Sequence, residues 1–367
     1  MTGAVPGLML VTAAAVANAT FTLPMKFARH WAWENIWLVW SFLALLVLPV
    51  CAAMLSIPSL ELVYREAGLG AVAIVAVCGA GWGLAQVLFG LSVDAIGIGL
   101  AFSIVLGISA TVGSLIPFLR MGRSALTSPA AGGVLLGVAL VLAGVVACAV
   151  AGHWREKAQG TGLQRNRSFG AGLAMAICSG LCAASMNFGV AFGEPILKIA
   201  AAHGASAQQV VYAVWLPLLM AGALPNLLYC AYLLGKQRTW GNFRSAHTPA
   251  YGLLALLMAV LWFFSTALYG IATRWLGDLG VVVGWPVFMS LIVITASLLG
   301  ILTGEWKRSG RAPVLLQLAG MLLLVLAVVA FSRAQRSSTP ASHAVIQHNS
   351  TVLCSAGSAT MDRINVR

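Results

Sequence analysis

Ten stretches of this chain are apolar and close to twenty residues or longer: 4–25, 35–56, 69–92, 96–119, 132–151, 170–192, 208–234, 250–272, 280–302 and 314–331. An α-helix needs about 20 such residues to cross the hydrocarbon core of a bilayer. Once in lipid it must be a helix, because no water is there to satisfy the backbone. Composition leaves no soluble alternative. Charged residues make up 8% of the chain and hydrophobic ones 60%, whereas a soluble domain carries roughly 25% charged residues. The expected fold is therefore an all-α integral membrane protein with ten transmembrane helices.

The net charge of +12 does not point to nucleic acid. The cations fall in short loops between apolar runs, where they orient the protein and meet anionic lipid. They favour the loops after the odd-numbered segments, which by the positive-inside rule puts both termini outside. The seven cysteines are scattered, six of them inside apolar runs, as small packing residues rather than disulfides or a metal site. The first cation is Lys26, so the start of the chain lacks the basic region of a cleaved signal peptide.

The chain also contains an echo of itself. A shift of 180 positions carries Trp82, Gly90 and Gly97 onto Trp262, Gly270 and Gly277, with Phe89 on Tyr269. The same shift lays Val134–Ala147 on Val314–Ala327. Two segments agreeing on one offset imply a duplicated unit of five spans. Five is odd, so equivalent helices cross in opposite directions. The domain reading is a first repeat over 1–151, an inter-repeat loop at 152–169, a second repeat over 170–331 and a polar, mobile tail over 332–367. Inverted repeats of this kind belong to secondary transporters, with the site near the midplane between the halves.

Polar and aromatic groups at membrane depth are the site candidates. Trp82 and Gln86 stand four residues apart on one helix face, and Trp262, Thr266 and Tyr269 occupy the corresponding face of the eighth segment. A ring and a hydrogen-bonding group from each half suit a sugar: an aromatic face for its C–H groups, an amide or hydroxyl for each OH. Ordinary interhelical contacts explain the same residues equally well. Asn18, with Thr20 and Thr22, and Asn187, with Ser179 and Ser185, must each find a partner or a wet cavity. Trp285 precedes Pro286 at the start of the ninth segment, as an interfacial ring or a gate, the interfacial role being favoured. The basic, aromatic connection Lys26–Trp33 also reads as an interfacial anchor. Asp94 marks the expected break between the third and fourth segments.

No metalloprotease, nucleophile-elbow, P-loop or complete dinucleotide motif is present. Neither an enzyme nor a bound cofactor is expected, and a gradient rather than ATP would drive transport. All nine acids lie at span ends or in loops, so none is an obvious proton relay at membrane depth. Glu34, at the start of the second segment, and Glu305, after the ninth, are the nominees for proton coupling, with helix N-terminal stabilisation the simpler role for Glu34.

Several stretches carry a resemblance: Pro24-Met25-Lys26 leading to Trp31-Ala32-Trp33-Glu34-x2-Trp37, Gly79-Ala80-x-Trp82-Gly83 with Phe89-Gly90-Leu91, Gly97 with Gly107-Ile108, Trp285-x3-Met289-Ser290, and, most specific, Glu305-Trp306-x3-Gly310-Arg311-x-Pro313. Over roughly residues 10–330 the chain resembles the bacterial L-rhamnose–proton symporter family, a branch of the drug/metabolite transporter superfamily built as ten helices in a 5+5 duplication. The resemblance implies a multi-pass protein of the bacterial inner membrane that imports a deoxy sugar with protons by alternating access. L-rhamnose or a related sugar, protons and the lipid bilayer are then the partners. Export of another small metabolite is the alternative within the superfamily. Gln86, Phe89 and Asp94 depart from the family pattern, which has Asn, Tyr and a basic residue there.

Overall fold

The computed structural model describes residues 4–159, 169–307 and 309–361, with side chains omitted at 4, 98, 99, 156 and beyond 337. Ten helices in it are long and apolar enough to cross a membrane: span 1 Val5–Phe27, span 2 Trp33–Ser56, span 3 Leu60–Ile96, span 4 Leu100–Arg120, span 5 Pro129–Gln159, span 6 Phe169–Ala202, span 7 Tyr212–Gln237, span 8 Thr248–Trp275, span 9 Gly277–Leu302 and span 10 Arg311–Ser337. Among the described residues there is no strand. The protein is an all-α integral membrane protein, as the apolar runs require. The inter-repeat loop falls mainly on residues 160–168, outside the described set, and 152–159 continue span 5. The helix of span 10 runs on to Met361. The side chains of the tail beyond Ser337 lie outside the described residues.

Within lipid, helices gain nothing from burying apolar surface against one another, so close backbone approach and interhelical hydrogen bonds hold them. The glycines show where. A Cβ on Gly79 would sit 1.8 Å from the Leu218 carbonyl oxygen, and one on Gly83 would sit 2.2 Å from that of Gly222. Spans 3 and 7 therefore touch backbone to backbone. Asn226 of span 7 donates to the Gly222 carbonyl at 3.0 Å and the Gly83 carbonyl at 3.4 Å, while its Oδ1 accepts Trp37 Nε1–H at 3.3 Å. Spans 5 and 10 meet in the same way: Gly144 lies against Leu324 and Gly320, and Gly320 against Cys148. Span 6 is tied to span 3 by Ser179, which donates to the Ala85 carbonyl, and Ser185, which donates to that of Cys78.

Four departures from the sequence reading have physical causes. The helix of span 3 runs through Asp94 and breaks at Gly97, whose φ of +86° only glycine adopts freely. Gly277 takes φ +76° between spans 8 and 9. Span 3 begins earlier than expected, at Leu60, and kinks at Gly68. Span 6 is not one rod: it comprises Phe169–Ala183, Ser185–Phe192 and Glu194–Ala202, the last starting where Pro195 suits a first turn. The connection after span 1 is no simple surface anchor. Trp31 is buried, donates Nε1–H to the Asn242 carbonyl, and packs edge-on against Phe243 and Tyr251. In span 2 the backbone widens to a π turn at Leu43–Val47, just before Pro49, which has no N–H to donate.

Candidate functional site

Helical spacing builds the site. Trp82, Gln86 and Phe89 on span 3 are spaced i, i+4, i+7, and so are Trp262, Thr266 and Tyr269 on span 8. Each triplet thus presents one face, and all six residues line the same cavity of about 190 Å³. That is room for a cluster of waters or one small solute. Trp82 stacks on Trp262 with ring centroids 5.4 Å apart and planes 29° from parallel. Trp40 meets Trp262 edge-on at 5.5 Å and lies 4.4 Å from Trp37. Four indoles therefore form one continuous aromatic wall.

The opposite wall is held rigidly. Tyr269 is fully buried and donates its hydroxyl to Asn187 Oδ1 at 2.5 Å. Asn187 in turn donates Nδ2–H to the carbonyls of Gly113 (2.7 Å) and Val281 (3.1 Å). One amide thereby ties spans 4, 6, 8 and 9 together. The Tyr269 ring stacks on Phe288 at 4.9 Å and meets Trp285 edge-on at 5.6 Å. Trp285 donates Nε1–H to the Ser109 carbonyl at 3.0 Å, and Gly113 leaves the slot for its ring, since a Cβ there would be 2.5 Å from Trp285 Cδ1.

Of the expected substrate contacts, Asn18, Trp82, Gln86, Trp262, Tyr269 and Trp285 all line this cavity. Asn18 donates to Ser265 Oγ at 3.2 Å. Asn187 does not line it but stands directly behind Tyr269. Trp285 is 2% exposed, which replaces the interfacial role favoured from sequence: its neighbours are other cavity rings. The two carboxylates lie elsewhere. Glu34 is buried in the first turn of span 2 and accepts a hydrogen bond from Thr239 Oγ1 at 2.6 Å. Glu305 pairs with Arg155 (3.2 Å) and Lys26 (3.6 Å), tying the ends of spans 1 and 5 to the segment after span 9.

Sequence reasoning passed over Trp40 and Ser109 and treated Trp37 only as part of a motif. The available signal was Trp33, Trp37 and Trp40, which repeat the i, i+4, i+7 spacing of the two recognised faces.

Chemically, the cavity combines aromatic walls with polar groups that have no hydrogen-bond partner among the described residues. Trp40 Nε1 and Ser109 Oγ are buried without a partner among the described residues, and the half-buried Gln86 side chain lines the cavity. A buried donor without a partner costs about 1–3 kcal/mol, a cost that a hydroxyl-rich ligand or water removes. Among the described residues no Asp, Glu, Lys, Arg or His lines this cavity. It suits a neutral ligand with both C–H faces and hydroxyls, and no ion.

Comparison with known proteins points the same way. The family model for the L-rhamnose-proton symport protein matches residues 2–334. The L-rhamnose-proton symporter of Cronobacter sakazakii is 28% identical over 328 residues, covering 88% of this chain and 95% of its own length. That of Yersinia pestis is 26% identical over 329 residues, with the same coverage of both chains. That of Salmonella dublin is 28% identical over 320 residues, 85% of this chain and 93% of its own.

Proposed function

Because the chain belongs to the L-rhamnose–proton symport protein family, we propose that it imports L-rhamnose with protons across the bacterial inner membrane. The observation that carries this reading is the uncharged cavity walled by Trp37, Trp40, Trp82 and Trp262 and furnished with the unpartnered Trp40 Nε1 and Ser109 Oγ and with the Gln86 side chain. A deoxy sugar offers an apolar edge and methyl group to the rings and hydroxyls to the polar groups. In this reading Asn18, Gln86, Trp82, Trp262, Tyr269 and Trp285 contact the sugar, and Asn187 positions Tyr269.

The mechanism is alternating access between two inverted five-span repeats. Several contacts support that symmetry at the offset of 180. Trp82 stacks on Trp262, its own equivalent. Gly144 lies against Leu324, again its equivalent. Gly97 and Gly277, also equivalent, both take positive φ at the turn after their span. Contacts between self-equivalent positions are what a two-fold axis between the repeats would produce, and they support the reading.

Proton coupling is assigned to Glu305 ahead of Glu34. Glu305 joins three segments through its two ion pairs, so protonating it would release one rim of the bundle, whereas Glu34 bonds a single hydroxyl of the loop after span 7. The test is uptake of labelled L-rhamnose into proteoliposomes under an inward proton gradient. Accumulation that a protonophore abolishes supports the reading, and Glu305→Gln should then equilibrate sugar without concentrating it. Uptake indifferent to the gradient would leave a facilitator. No uptake in either direction would remove the sugar.

A further inference from the structure

A second cavity, of about 250 Å³, lies beside the first, between spans 4, 5, 9 and 10. Its polar wall is Arg155, Ser297, Glu305, Trp306 and Gln317. Arg155 Nη1 is 3.2 Å from Glu305 Oε2, and its guanidinium lies over the Trp306 ring, 5.1 Å from the centroid. Gln317 donates Nε2–H to Ser297 Oγ at 2.6 Å. Gly300 lets these groups converge: a Cβ there would sit 3.2 Å from Glu305 Oε2 and 3.3 Å from Trp306 Nε1. The carboxylate and the indole N–H therefore both pack against Gly300 in the cavity wall.

Two donors in this wall have no acceptor. Trp306 is 8% exposed, and its Nε1 is buried without a partner among the described residues. Arg155 Nε is in the same position. Both N–H groups call for an acceptor oxygen, while the Glu305 carboxylate is already held by Arg155 and Lys26. Arg155 is already ion-paired with Glu305, which Lys26 also pairs from outside the cavity lining, so the oxygens these donors call for need not carry a charge. The hydroxyl oxygens of a neutral polyhydroxylated molecule satisfy both N–H groups. Phe102 lines both cavities, so one phenyl ring stands between this chamber and the aromatic site.

We infer that the chamber formed by Arg155, Glu305 and Trp306 is a second sugar-binding site, a vestibule in which the transported sugar is held before or after it passes Phe102. The inference rests on the reading of the aromatic cavity as a sugar site. It also gives Trp306 a task of its own: donating to a sugar hydroxyl beside the carboxylate that senses the proton.

The test is equilibrium binding of labelled L-rhamnose to the full chain in lipid nanodiscs, counted per protein molecule. The expected result is two sugars per wild-type chain. Trp306→Phe keeps the ring under Arg155 and removes only the N–H. It should weaken one of the two sites by about tenfold or more while leaving the other affinity and the melting temperature unchanged. Ala149→Trp, which fills the chamber from span 5, should abolish the same site. Gln86→Ala should weaken the other site alone. One sugar per wild-type chain, sensitive to Gln86→Ala and indifferent to Trp306→Phe, overturns the vestibule and leaves the central site standing. Two sugars retained at wild-type affinity in both chamber variants also overturn it. No sugar bound at all overturns the central reading and the vestibule together.

Discussion

Substituting Gly83 with Ala tests whether spans 3 and 7 are in backbone contact. The added Cβ would lie 2.2 Å from the Gly222 carbonyl oxygen and 2.9 Å from its Cα, where ordinary contact begins at 3.4 Å. None of these is a flexible side-chain end, so the two helices must part by roughly 1 Å, an overpacking that costs about 1–3 kcal/mol. Parting also stretches the Asn226 bond to the Gly83 carbonyl, already 3.4 Å, and with it the anchor of Trp37. Against this, Ala is worth up to about 1 kcal/mol over Gly in a helix. Gly90 supplies the control on the same helix. A Cβ there meets nothing within 4 Å, so Gly90→Ala should keep the propensity gain alone. The propensity gain is common to both, so the two variants should differ by the overpacking cost of about 1–3 kcal/mol, Gly83→Ala melting below wild type in nanodiscs and Gly90→Ala at or above it. If Gly83→Ala melts with or above Gly90→Ala, the close approach of these spans is wrong, and so is the position given to Trp82.

Tyr269→Phe leaves Asn187 Oδ1 buried without its 2.5 Å donor, a cost of about 1–3 kcal/mol; both thermal stability and sugar affinity should fall, while Phe288 stacking is kept. Gln86→Ala removes a half-buried side chain of the cavity wall, so uptake KM should rise by about three- to tenfold with little change in melting. Gly97→Ala forces a non-glycine residue to φ +86°, ψ +155°, a region essentially confined to glycine, at a cost of about 1–3 kcal/mol, and should lower the melting temperature without altering the sugar's rank order among competitors.

The spans were legible because twenty apolar residues with no charge have one use. Their inward faces were harder to read. In a soluble helix the polar stripe marks the outside, but lipid is as apolar as the core, so Leu84 facing out and Ala85 facing in look alike in sequence. Only residues too polar or too flat for a lipid contact betray the inside. Gln86 and Asn18 do so by chemistry, and Trp82 with Trp262 by repetition. Trp40 has only the small Ser41 beside it to mark it, and its depth depended on where span 2 meets span 8. Trp31 and Trp285 looked interfacial because span ends are where tryptophans gather; packing against Phe243, Tyr251 and Tyr269 decided otherwise. Depth along a helix follows from length, but which neighbour covers an end is a matter of tertiary structure.

The turn at Gly97 leaves no slack between spans 3 and 4, and the short turn after Gly277 leaves little between spans 8 and 9. Each pair is joined tightly at one end, and together the two hairpins supply most of the cavity's lining. In the proposed rocking cycle the joined ends of each hairpin stay together while the gap between the hairpins changes. Such a pincer measures a ligand by thickness, so a bulkier sugar would prop it open and stall the cycle after binding rather than before.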